Sequence, residues 1–309
     1  MDDPLITAPD VGRVTLTNAA VAVDLAPGVG GSIAACRIVV NGRLVDLLRP
    51  APAALANPLE AGCFPLVPFS GPVFGGGFRW EQGLLPLART NPREPDPIHG
   101  DGWMRPWQVL RRGGDAALLE YRHRVDREPE GAFPFPYVAR LCIRLLPDGF
   151  AATLSVRNAG PGPMPAGLGL HPYFTGASEA RVRFAAHALW RDGPELAAVP
   201  PGPIPPGLDF SAGRPIGDLE IDHCFEGWGG QAWLEWPDRG VAASLTAEGA
   251  FGKLQLFHPR DADFFCVEPV ANANDGFNRM AAGVDRHGIA ILAPGVTLSG
   301  RVALRVAAI

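Results

Sequence analysis

The sequence predicts an all-β protein, a large antiparallel β-sandwich built as one domain over residues 1–309. Three observations lead there. The 38 glycines and 33 prolines make up close to a quarter of the chain and follow no repeat period; both residues break helices and both serve turns. Two segments carry explicit hairpin signals. No long amphipathic helix can be drawn anywhere, and no shift in composition marks a domain boundary.

Taken in order, the first hairpin runs from Ala34 to Val40, turns at Asn41-Gly42 and returns from Arg43 to Leu47. Asn-Gly between apolar runs suits a type I′ turn, which requires positive φ at both central residues. Ala116–Val125 reads as a further strand. The second hairpin runs from Tyr137 to Leu146 through Pro147-Asp148-Gly149 and back from Phe150 to Arg157. Its first strand alternates Ala139, Leu141, Ile143 and Leu145 with Val138, Arg140, Cys142 and Arg144, the period of a half-buried strand. Pro194 to Pro215 is rich in proline and glycine and reads as a long surface loop. Strands follow at Val241–Ala247, Leu254–Phe257, Phe264–Val267 and Gly288–Leu292. The closing strand, Thr297 to Val306, sets Leu298, Val302, Leu304 and Val306 on one face and Thr297, Ser299, Arg301 and Arg305 on the other.

Composition narrows the function. The net charge is -5 and no run of five or six basic residues occurs, which argues against a nucleic-acid partner. No apolar stretch approaches the roughly 20 residues of a membrane helix, and the start, Met1-Asp2-Asp3-Pro4, lacks the features of a signal peptide. The five cysteines are scattered and form no CxxC pair. A disulfide framework or structural zinc is not expected, and free thiols fit a reducing cytoplasm. Elbow serines, phosphate-binding loops, dinucleotide fingerprints and the H-E-x-x-H zinc motif are all missing.

Four segments set uncommon polar residues among glycine, proline and aromatic neighbours: Ile98 to Trp103, Gly169 to Phe174, Ile221 to Phe225 and Cys266 to Val270. Glu268 follows an apolar strand and precedes a proline. It is either a solvated strand-end glutamate or a desolvated carboxylate whose raised pKa makes it a base near neutral pH. His171, in Gly-Leu-His-Pro-Tyr-Phe, is either a satisfied core histidine or a proton donor. His99 lies on a loop, as a turn-capping histidine or a site residue. Trp103 and Trp107 would serve equally as core or as an apolar wall for the C–H face of a sugar. Asp222 could accept from sugar hydroxyls or start an Asx turn. His123, His187, His258 and His287 lack supporting neighbours and read as structural or surface residues. His99, His171 and Glu268 are suitable metal ligands by type, but nothing in their spacing argues for a metal.

In sequence order these segments resemble the aldose 1-epimerase, or galactose mutarotase, family. Gly62 to Ser70 looks like its N-terminal signature, His99-Gly100-Asp101-Gly102-Trp103 with Pro106-Trp107 like its first histidine block, and Gly169 to Phe174 like its catalytic-histidine block. Asp222 to Phe225 resembles the substrate-aspartate block, Glu268-Pro269 the catalytic-glutamate block and Leu292 to Gly295 the closing turn. The resemblance implies a β-supersandwich and a cytoplasmic isomerase, monomeric or homodimeric, that interconverts the anomers of a free aldohexose without metal or cofactor. It implies Glu268 as general base, His171 as general acid, His99 as a hydrogen-bonding partner near the ring oxygen, and Asp222, Trp103 and Phe69 at the sugar. One departure stands out: family members often follow the signature serine with Asn-Arg, whereas Ser70 here precedes Gly71-Pro72. Arg79, Arg105 and Arg279 are the candidates to replace that arginine. The alternatives are a non-catalytic sugar-binding protein of the same fold, or an epimerase for an unusual or phosphorylated sugar. A phosphate would need basic residues at the site, for which Arg111-Arg112 and Arg122 with Arg124 are available.

Overall fold

A computed structural model describes residues 12–81 and 83–309. Two large antiparallel sheets face one another. The first has ten strands, in the order Val14–Thr17, Val21–Ala26, Ser32–Val40, Arg43–Leu48, Gly169–Thr175, Phe264–Val270, Lys253–His258, Ile221–Glu226 and Ala188–Leu189, with Cys63–Leu66 pairing to both Ser32–Val40 and Gly169–Thr175. The second has nine, in the order Arg214–Pro215, Arg181–Phe184, Gln231–Trp236, Val241–Gly249, Thr297–Ala308, Gly149–Asn158, Tyr137–Leu146, Ala116–His123 and Gln108–Arg112.

Both expected hairpins form. Asn41 and Gly42 take φ of 50° and 74°, as the tight turn demands. Tyr137–Leu146 pairs along its length with Gly149–Asn158, and Ala139, Leu141, Ile143 and Leu145 are its buried face. The sandwich core lies between the sheets. Leu254, Leu256, Phe265, Val267 and Phe174 from the first meet Leu141, Leu154, Val156, Leu245 and Leu304 from the second. Phe184 reaches across to Phe225 with ring centroids 4.9 Å apart. Fully burying a large aliphatic or aromatic side chain contributes roughly 1.5–3 kcal/mol, so this layer dominates the stabilisation.

Several boundaries differ from expectation. Ala116–His123 stops short of Val125, which starts a 3₁₀ turn. Ala290–Leu292 pairs with Met164–Ala166 in a small sheet of its own. The Pro194 to Pro215 loop contains two 3₁₀ turns and ends in a short edge strand. The α-helix Gly276–Ala281 has six residues. The more consequential difference concerns Phe264–Val270, which continues through Glu268-Pro269, so that Glu268 lies inside a strand and not at its end. Gly169–Thr175 and Ile221–Glu226 are also strands. Gly169–Thr175 is buried on both faces and contains a proline, which removes the alternation by which a strand is read.

Candidate active site

Strand pairing places the chemistry. Gly169–Thr175 and Phe264–Val270 are neighbours, with Gly169 opposite Val270 and Tyr173 opposite Cys266. The same register sets His171 opposite Glu268. His171 is paired on its other side with Phe64, Glu268 with Gln255, and Gln255 with Cys224. Residues that face one another across a ladder project from the same side of the sheet. Phe64, His171, Glu268, Gln255 and Cys224 therefore form one row, and Asp222, two residues before Cys224, shares their face. Leu170, Phe174 and Val267, on the opposite face, belong to the sandwich core. The row stands on the outer side of the ten-stranded sheet, over a separate apolar cluster that includes Phe64, Trp103, Tyr173 and Cys266.

A cleft of about 550 Å³ opens above this row. His99, Trp103, His171, Asp222 and Glu268 all line it. His171 Nε2 is 3.5 Å from Glu268 Oε1, and both side chains are almost wholly buried. The ring of His171 stacks on Tyr173 at 4.6 Å and packs against Phe64 at 4.8 Å. Its Nδ1 is buried and has no hydrogen-bond partner among the described residues. Burial, and then the Asp222 carboxylate, push Glu268 well above the ordinary glutamate value. Burial, and then His99 and Arg49, push His171 well below the ordinary histidine value. The pair thus favours one shared proton and no net charge.

His99 enters from a loop folded over the row. Its ring lies edge-on to His171, with centroids 5.5 Å apart. The Gly71 N–H donates to His99 Nδ1 at 3.0 Å, and the His99 N–H donates back to the Gly71 carbonyl at 3.0 Å. Accepting at Nδ1 leaves the neutral ring's proton on Nε2. Burial pushes the His99 pKa down to about 3, so this tautomer persists at physiological pH. His99 has φ of 63°, a left-handed conformation costing roughly 1–2 kcal/mol in a residue with a Cβ. Close packing at the adjacent Gly100 holds it there: a Cβ on Gly100 would come within 2.3 Å of the Val67 carbonyl oxygen.

Below that loop lies a polar network the sequence did not announce. Asp101 accepts from Tyr137 Oη at 2.6 Å and Tyr121 Oη at 3.2 Å, and lies 2.6 Å from His123 Nδ1. His123 Nε2 is 2.7 Å from the Phe133 carbonyl oxygen. Both ring nitrogens face acceptors, so both carry protons and the ring is cationic. Burial by itself would lower the His123 pKa, but Asp101, through hydrogen bond and charge, and the Phe133 carbonyl more than offset it and raise it. His123 is accordingly a buried ion-pair partner with ample supporting neighbours.

The remaining expected residues divide. Asp222 stands exposed at the cleft rim, where partial desolvation within the cleft and then the Asp192 carboxylate raise it above the ordinary aspartate value. Trp103 forms the floor, stacked on Phe64 at 5.3 Å. Phe69 does not reach the cleft. It packs on Phe277 at 5.1 Å and lines a second, more apolar cavity of about 250 Å³. None of the three candidate arginines takes the expected corner. Arg79 is exposed on Gly77–Trp80, Arg105 pairs with Glu128, and Arg279 is buried, donating to the Arg191 carbonyl and toward Asp192. The cations that line the cleft are Arg49 and Arg93. The Arg49 guanidinium donates to the carbonyls of Leu59 and Ala61 and stacks 3.9 Å above Tyr173. Arg111, Arg112, Arg122 and Arg124 lie outside the lining. Sequence reading also missed Asp192, Gln255 and Asn274. Of these only Asn274 left a trace, in the polar run Asn272 to Asp275 directly after an apolar strand.

A metal set is conceivable in His171, Cys266 and Glu268, whose donor atoms lie within 4.8 Å of one another. Burial drives the Cys266 thiol far above its usual range and Glu268 upward as well. A cation bound there would have to displace the protons that burial favours on both groups.

No helix among the described residues is long and apolar enough to cross a membrane. Comparison with known proteins agrees with the sequence blocks. An Escherichia coli K12 protein, YphB, of uncharacterised function, is 32% identical over 273 residues, 84% of this chain and 88% of its own. The crystal structure of an Escherichia coli K12 protein provisionally assigned as an aldose 1-epimerase superposes with a TM-score of 0.82 at 29% identity, covering 96% of this chain and 99% of that one. A galactose mutarotase-like protein from Clostridium acetobutylicum shares the fold with a TM-score of 0.81 at 19% identity, covering 96% and 95%. The aldose 1-epimerase sequence profile matches residues 12–305. With the profile spanning both sheets and every residue of the row, the chain belongs to the aldose 1-epimerase family.

Proposed function

We propose that the protein is an aldose 1-epimerase that interconverts the α and β anomers of a free aldohexose of the galactose or glucose type. The observation that carries this reading is the His171–Glu268 pair, facing across two strands under a neutral His99 in a single cleft. Ring opening requires a base at the anomeric hydroxyl and an acid at the ring oxygen of one hemiacetal. Glu268 takes the proton from O1. The O1 electrons form the C1 carbonyl as the C1–O5 bond breaks, and His171 delivers a proton to O5. Rotation about C1–C2 presents the other carbonyl face. O5 re-attacks, its proton returns to His171, and Glu268 reprotonates O1.

The pair begins with the single proton this cycle needs. Moving it from Glu268 to His171 yields the charged acid–base pair, and sugar hydroxyls bonded to the carboxylate favour that form. His99 Nε2–H is the neutral donor suited to O5, where negative charge develops. Trp103 supplies an apolar floor and Asp222 a hydroxyl acceptor.

Polarimetry of freshly dissolved α-D-galactose and α-D-glucose tests the reading, using protein dialysed against EDTA. The parent chain accelerates the approach to equilibrium. Glu268→Gln, whose amide cannot take the proton, loses roughly 10²- to 10⁴-fold of the catalysed rate. Near-parental turnover in Glu268→Gln would overturn the assignment.

A further inference from the structure

One wall of the cleft, beginning beside Gly71, is a chain of side chains whose hydrogen-bond polarity can be worked out. Arg279 Nη2 donates toward Asp192 Oδ1 at 3.5 Å. Asn274 Nδ2 donates to Asp192 Oδ2 at 2.9 Å and toward Gln255 Oε1 at 3.5 Å. Gln255 Nε2 donates to Asp222 Oδ1. A carboxylate at each end fixes both amides, because only the NH₂ of Asn274 can face Asp192 and only that of Gln255 can face Asp222.

Asn274 therefore spends both N–H groups inside the wall. Its Oδ1, on a side chain more than nine-tenths buried, accepts no hydrogen bond among the described residues. That oxygen sits where Gly71 leaves room: a Cβ at position 71 would come within 2.2 Å of it. Asp192, Asn274, Gln255 and Asp222 all line the cleft.

Resting on the sugar-epimerase reading above, we propose that Asp192 and Asn274 are specificity-determining residues. They form a wall that offers acceptors to the ligand and selects sugars presenting free hydroxyl donors there. The corner left without a side chain by Gly71-Pro72 is filled by the adjoining Asn274, whose Cα lies within 3.1 Å of where a Cβ of residue 71 would stand. A phosphate or carboxylate on the sugar at this wall would meet lone pairs and carboxylates. Arg279, the buried cation behind it, is committed to Asp192 and to the carbonyls of Asn274, Leu196, Val199 and Arg191. The wall therefore favours unphosphorylated sugars.

Fluorine tests this directly, since it replaces a hydroxyl in size but cannot donate. Dissociation constants are measured by calorimetry for D-galactose and for its 2-, 3-, 4- and 6-deoxy and deoxyfluoro analogues. The parent chain and Asp192→Asn are compared, with circular dichroism to check folding. At one position both the deoxy and the fluoro analogue bind roughly 10- to 100-fold more weakly to the parent chain, the range for a hydrogen bond to a charged group. In Asp192→Asn the parent sugar is already weakened and that difference shrinks.

Fluorine tolerated at every position overturns the proposal, as does equal loss for all sugars in Asp192→Asn. If that variant unfolds, Asn274→Ala takes its place: the position-specific difference shrinks there as well, and an unchanged difference overturns the proposal. Glu268→Gln separates the two ideas: retained binding with lost rate supports the acid–base assignment whatever the fluorine series shows. A normal rate in Glu268→Gln sinks that assignment while leaving the wall to be judged by the fluoro sugars.

Discussion

Replacing Asp101 by asparagine tests the buried network that anchors the His99 loop. Two tyrosine hydroxyls and a cationic imidazole converge on Asp101. Asparagine is uncharged and replaces one acceptor oxygen with an N–H, so it can neither pair the imidazolium charge nor accept at both positions that Asp101 uses. The His123 side chain has no exposure and that of Asp101 is 8% exposed, which leaves little room for water to repair the mismatch. Removing one partner of a buried ion pair typically costs about 3–5 kcal/mol. At ~2–4 °C per kcal/mol in large domains, the melting temperature should fall by about 6–20 °C. The sign of the pH dependence comes from the raised His123 pKa. The folded state then binds the imidazole proton more tightly than the unfolded state. The extra stability is present in full below the unfolded histidine value and is lost as pH rises through the folded value. Thermal unfolding of the parent and Asp101→Asn from about pH 5.5 to about pH 9 should show a gap that narrows with rising pH. A gap under about 2 °C at the acidic end, or one that stays constant across the range, would refute the buried ion pair.

The same geometry sets three further outcomes. Glu268→Gln should be at least as stable as the parent at neutral pH, with an advantage that grows as pH rises from the ordinary glutamate value toward the raised folded one, because the ionised carboxylate is what burial penalises; a lower melting temperature at pH 8 would contradict this. The rate should hold a plateau while the His171–Glu268 pair keeps one proton, with its acid limb displaced below the ordinary histidine value, since burial lowers His171; a pH–rate profile with an acid limb at or above that value would count against the pair. Gly71→Ala should cost roughly 1–3 kcal/mol and weaken sugar binding, because φ is 73° and the new Cβ overlaps Asn274 Oδ1; urea unfolding and calorimetry together check it.

Much of the fold was legible because its signals are local. The Asn41-Gly42 turn and the alternation from Ala139 to Leu145 each depend on a few neighbouring residues. His99, His171, Asp222 and Glu268 were legible through short blocks, and the structure brings all four to one cleft. What stayed hidden depends on pairing at long range. Gly169–Thr175 does not alternate because both its faces are covered. Asp192, Gln255 and Asn274 acquire meaning only when three separate segments meet at the wall, and His123 only when the loop bearing Asp101 folds over it. Phe69 belongs to a sequence block of the family, yet its side chain points into the apolar contacts of Phe133 and Phe277.

His171 and Glu268, the proposed acid and base, sit on adjoining strands, whereas Asp192 and Asn274 belong to the connections between strands. A strand cannot shift by one residue without turning His171 or Glu268 to the wrong side of the sheet. Side chains on a connection are free of that parity and can be exchanged without altering strand pairing. An engineer wishing to redirect this scaffold to another sugar could therefore vary the side chains at 192 and 274, leaving untouched both the ladder and the backbone that Arg279 and Asn272 hold in place. The same partition gives natural variation a route to new substrates in which the proton chemistry is inherited intact.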